Sequence, residues 1–80
     1  MNDATNDLPE VVRRQVKKII SDIEFAGSMI LVVKSGARAN GFVQGLICAG
    51  GITADQGEAL DEYFDLATEK KLKILALGLS

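Results

Sequence analysis

Six carboxylates are the densest chemistry in this chain. Asp55, Glu58, Asp61, Glu62, Asp65 and Glu69 recur mostly three or four residues apart. On a helix that spacing gathers them on one face. Paired carboxylates do acid–base work only when one of them is desolvated and its pKa raised. A continuous acidic face is instead wet, and it suits contact with a basic partner or imitation of a phosphate backbone in a basic groove. These six residues are the candidate partner-binding surface.

The opposite sign gathers at Arg13, Arg14, Lys17 and Lys18, with Arg38 further on. Such a basic face offers the alternative, an anionic partner such as nucleic acid. No aromatic residue interleaves the four helix cations, so base stacking has no platform there. From Glu10 to Arg38 there are six basic and three acidic residues, and from Ala39 to Glu69 six acidic and none basic. Salt bridges within the chain between these two regions would account for the pattern with no partner at all.

Other chemistry is thin. Lys34–Gly41 (KSGARANG) has the GxxxxG spacing of a phosphate loop, but Phe42 and Val43 follow where Lys and Ser or Thr are needed. Read plainly it is a polar loop. Cys48 has no histidine anywhere in the chain to activate it and falls in an apolar segment, which predicts a small core residue. No ligand set suggests a metal, no cofactor is expected, and the chain reads as a non-enzyme. A helix-turn-helix over Gly41–Phe64 fits the spacing, but its second helix meets phosphates with carboxylates, so nucleic acid is an unfavoured partner.

Two resemblances bear on this. Val12–Ile23 (VRRQVKKIISDI) is similar to the first helix of acyl carrier proteins, whose Asp-Ser-Leu attachment motif is absent here. Gly45–Phe64 (GLICAGGITADQGEALDEYF) resembles the short helical-hairpin module SHOCT, matching its centre at Ala49, Gly50, Ile52 and Thr53. Gly57 departs from it, standing where a stronger helix former belongs. That resemblance implies a hairpin that serves in multimerisation or interaction.

The elements that position these residues follow from periodicity. Asp7 and Pro9 mark a helix start. Val12, Val16, Ile19, Ile20 and Ile23 then form an apolar stripe up to a stop at Gly27. Ala37–Ala49 predicts a second helix, apolar nearly all round, with a small-residue stripe at Gly41, Gly45 and Ala49 for a closely crossing backbone. Gly50 can turn left-handed to close it. Thr53 and Gln56 form a capping box that opens a third helix from Ala54 to about Lys70 or beyond. Ser28–Ser35 and Leu72–Leu79 are apolar runs that periodicity leaves open between strand and helix.

The expected fold is therefore mainly α, a three- to four-helix domain with a buried glycine-lined central helix. The alternative is α+β, with a two-stranded ribbon from residues 29–34 and 72–77, which would favour pairing across a dimer. A polar arm over residues 1–7 precedes a single domain over 8–80.

With 80 residues and a net charge of −2, the chain is one small domain with a modest core. Four aromatics make that core aliphatic. A lone cysteine excludes an internally stapled secreted scaffold. The polar N-terminus is unlike a signal peptide, and no apolar run reaches the roughly 18 residues a membrane span needs. The expectation is a cytoplasmic, non-enzymatic regulator or inhibitor that binds another protein and can associate with itself as a homo-oligomer. Compact acidic chains of this size also occur among phage and mobile-element products.

Overall fold

The computed structural model describes residue 5 and residues 7–78, which form three α-helices: α1 (Glu10–Glu24), α2 (Met29–Cys48) and α3 (Ala54–Leu77). There is no strand among the described residues. Most of the arm expected at residues 1–7 lies outside them. Within it, the Thr5 carbonyl accepts a hydrogen bond from the Leu8 N–H at 3.3 Å.

In α1 the apolar stripe is buried at every position read from the sequence: Val12, Val16, Ile19, Ile20 and Ile23. Burying each such side chain fully stabilises the fold by about 1.5–3 kcal/mol. The helix start differs from expectation. Pro9, not Asp7, occupies the N-cap, and no side chain caps the helix there. The Pro9 carbonyl accepts from the Arg13 N–H at 3.0 Å, which a proline can do because only its N–H is missing.

The ribbon alternative is overturned. Residues 29–34 open α2 and residues 72–77 close α3. Ser28 begins α2, its Oγ accepting from the Leu31 N–H at 3.3 Å. Of the five apolar residues 29–33 only Val32 is buried, so this segment lacks the two covered faces of a core strand. A helix satisfies its backbone groups internally without a partner strand. The same helix runs on through Lys34–Gly41, so those residues form no loop.

The turn between α2 and α3 follows its glycines. Gly50 is left-handed, with φ +76°. The Gly50 N–H donates to the Ile47 carbonyl at 3.1 Å and the Gly51 N–H to the Leu46 carbonyl at 2.8 Å, the two bonds of a Schellman motif. The capping box forms as read. Thr53 Oγ1 accepts from the Gln56 N–H at 3.0 Å, and Gln56 Oε1 accepts from the Thr53 N–H at 2.8 Å. Gly78, also left-handed, ends α3.

Two glycines let α2 and α3 pack closely. A Cβ on Gly57 would collide with the Ile47 side chain and lie 3.3 Å from Val43 Cγ1. A Cβ on Gly36 would lie 3.4 Å from Thr68 Oγ1, whose hydroxyl donates to the Phe64 carbonyl at 2.8 Å. With residue 36 beside 68 and 47 beside 57, the two helices form an antiparallel hairpin along their length. α1 runs parallel to α3: its early residues share a groove with Tyr63, and Glu24 near its end shares one with Lys71 and Ile74.

The core is aliphatic apart from Phe64, and joins the α1 stripe to Val32, Ala39, Val43 and Leu60. Leu8, Ala26 and Ile52 seal it from outside the helices. The close crossing expected at Gly41 and Gly45 does not occur there. Both are exposed, and a Cβ on either meets nothing within 4 Å. Cys48 is exposed as well, not a core residue. It lies five residues past buried Val43, about 140° around the helix from it. No helix among the described residues is long and apolar enough to cross a membrane.

Candidate functional site

The α3 carboxylates form one strip. Asp55, Glu58, Glu62, Asp65 and Glu69 are exposed, and Asp61 is half-buried. Fourteen residues of helix separate the two ends, about 21 Å. The capping box fixes where the strip begins, and the buried row Gly57, Leu60 and Phe64 fixes which way it faces. Partial burial, and then the neighbouring Asp65 charge, raise the Asp61 carboxyl above its ordinary value of 3.8.

Leu66 also lies exposed on this side, four residues after Glu62 and three before Glu69. The sequence reading missed it. Its only signal is that it falls out of phase with Leu60, Phe64 and Ala67.

The cations divide. Arg13, Arg14 and Lys17 line a surface groove of about 530 Å³ between α1 and α3, together with Thr5, Glu10, Val16 and Tyr63. Arg14 Nη2 reaches Glu10 Oε2 at 2.8 Å, an exposed pair one turn apart, worth about 0.3–0.5 kcal/mol. Lys18 is not among the lining residues. Arg38 is turned away to α1, its Nη1 3.2 Å from Asp22 Oδ2. Tyr63 enters this groove from another helix, so no spacing within the sequence signals it.

Neither ion pair among the described residues joins the basic face of α1 to the acidic face of α3. No α3 carboxylate lines the basic groove. Internal neutralisation between the two faces is thus not what this fold builds. The helix-turn-helix that the spacing allowed but the charge opposed is not formed, because that motif sets its helices at about 90–120°, whereas α2 and α3 lie side by side.

Among the described residues no three His, Cys, Asp or Glu side chains are grouped to hold a metal ion. No family model, curated protein or solved structure matches the chain. The likeness of Gly45–Phe64 to SHOCT is therefore that of a capped turn between two helices. Gly57, its main departure, has a packing reason in Ile47.

Proposed function

We propose that this protein is a small non-catalytic regulator or inhibitor that binds a basic surface of another protein through the acidic strip of α3. The observation that supports this reading is the strip itself: six carboxylates along one helix side, none in an ion pair with a cation among the described residues. Such a surface attracts a cationic partner over several ångströms and orients it before contact. Leu66 supplies an apolar contact within the strip.

A non-catalytic role agrees with the wetness of the carboxylates, since five of the six are exposed. A reducing compartment such as the cytoplasm suits the exposed thiol of Cys48.

The test is charge reversal of Asp61, Glu62 and Asp65 to Lys, with helicity checked by circular dichroism. Proteins retained by the wild-type chain from its native host should be lost. Equal retention by the folded variant would leave the strip a mere solvent face.

One observation favours a second reading. Arg13, Arg14 and Lys17 converge on one groove, which suits an anionic ligand such as a nucleic-acid backbone. A salt titration of binding to random-sequence duplex DNA tests it. No binding at low salt removes it.

A further inference from the structure

We propose that the outer face of α2 is a two-fold interface between two copies of this chain, packed antiparallel. Four large apolar side chains stand in the open at the start of this helix, Met29 46% exposed, Ile30 69%, Leu31 50% and Val33 57%, and Phe25, the C-cap of α1 just before it, is 83% exposed. Together they expose an apolar area on the order of 500 Å², the size at which a patch marks an interaction site. Along the rest of the same exposed side run Lys34, Ala37, Gly41, Gln44, Gly45 and Cys48. The stripe is thus bulky at one end and small at the other, and it carries no carboxylate.

That asymmetry selects the occupant. A two-fold contact requires each residue to meet its counterpart twice, i with j and j with i. Set antiparallel about a centre near residue 39, Ile30 meets Cys48 of the second copy and Val33 meets its Gly45. Lys34 meets Gln44, and Ala37 meets Gly41. The two bulky apolar side chains of the seam, Ile30 and Val33, each fall on a small residue, the polar Lys34 falls on polar Gln44, and the lysines stay apart. Small residues at the centre allow the close helix approach that Gly36 and Gly57 provide on the inner side.

Charge agrees with this direction. The first turn of α2 has no acidic residue and its last turn no basic one, so neither end of its dipole is compensated by its own side chains. α1 and α3 already run antiparallel to α2 within the chain, and an antiparallel second copy keeps the like ends of the two α2 dipoles apart, as a parallel one would not. The shared seam is about 27 Å long. With Phe25, Met29 and Leu31 flanking it at both ends, it buries on the order of 1,000 Å² in all, the lower bound for a biological interface and the size of a weak, reversible dimer contact. This face is separate from the acidic strip, so either inference can fail alone.

The experiment uses the full chain and its one cysteine. Sedimentation of the wild type should show dimer at micromolar concentration. Under mild oxidation Ile30→Cys should form dimers linked between residue 30 of one copy and Cys48 of the other. The wild type should not cross-link through Cys48 alone, because those two thiols would lie about 27 Å apart. Gly41→Glu, at a position where a Cβ meets nothing within 4 Å, should keep its helicity and raise the dimer dissociation constant at least tenfold. A monomer at all concentrations, a wild-type Cys48–Cys48 link as ready as the designed one, or an unchanged dissociation constant for Gly41→Glu would each overturn the proposal.

Discussion

Ile47 of α2 lies directly over the Cα of Gly57 in α3, its Cγ1 only 3.0 Å from where a Cβ would stand. Glycine inside a helix ordinarily costs about 1 kcal/mol relative to alanine. Here it leaves room for a neighbour's side chain. Gly57→Ala should therefore not give the usual gain. Overpacking costs about 1–3 kcal/mol, so the net effect is a loss of up to about 2 kcal/mol. Ile47→Val removes the Cδ1 methyl in the way and should recover part of the loss. A double-mutant cycle by denaturant unfolding measures the coupling. Additive single effects would contradict the contact.

Gly41 and Gly45 predict the reverse. Each faces open space in α2, with no positive φ to protect. Gly41→Ala and Gly45→Ala should each stabilise the dilute chain by up to about 1 kcal/mol, while Gly50→Ala, at φ +76°, should destabilise it by about 1 kcal/mol or more. In a domain of this size 1 kcal/mol moves Tm by about 4–8 °C, so thermal unfolding resolves all three.

The contrast between these glycines marks where the sequence stopped being readable. Val12 to Ile23 were legible because one buried stripe opposes one wet face, and Thr53 with Gln56 because a capping box is local. Met29–Val33 were not. Five consecutive apolar residues have no period, and four of them turn out to be exposed. The signal that decides for helix is Ser28, a good N-cap placed just before the run. Which glycines pack closely depends on the rotation of α2 about its axis, and no single segment encodes that. The acidic strip was readable from spacing alone. The basic groove was not, because Tyr63 reaches it only after α1 and α3 pack together.

Ser28 and Thr53 give a direct check of the helix starts. Ser28→Ala and Thr53→Ala each remove an oxygen that accepts from a backbone N–H, Leu31 in one case and Gln56 in the other. Each should cost about 1 kcal/mol. Loss of amide protection at residues 30–33 in Ser28→Ala, read by hydrogen exchange, would place the effect at the start of α2. Unchanged stability and protection would contradict the cap.

Asp61 makes stability depend on pH. Partial burial and the Asp65 charge raise its pKa in the folded chain above the ordinary 3.8. The folded state thus binds this proton more tightly than the unfolded one. The favourable contribution is full below the unfolded value and is lost as pH rises through the folded one. Asp61→Asn should therefore be more stable than the wild type at pH 7 and indistinguishable from it at pH 3. Denaturant midpoints at the two pH values measure this. A variant less stable at pH 7 would reverse the sign.

Partner affinity tests the acidic strip most directly. Once a protein has been captured from the native host, its Kd should be compared for the wild type, Asp61/Glu62/Asp65→Lys and Arg13/Arg14/Lys17→Glu. The account predicts at least a tenfold weakening on reversing the acidic strip, an affinity for the wild type that falls with added salt, and little change on reversing the basic groove. Unchanged affinity for the acidic-strip variant, with loss confined to the basic-groove variant, would contradict it.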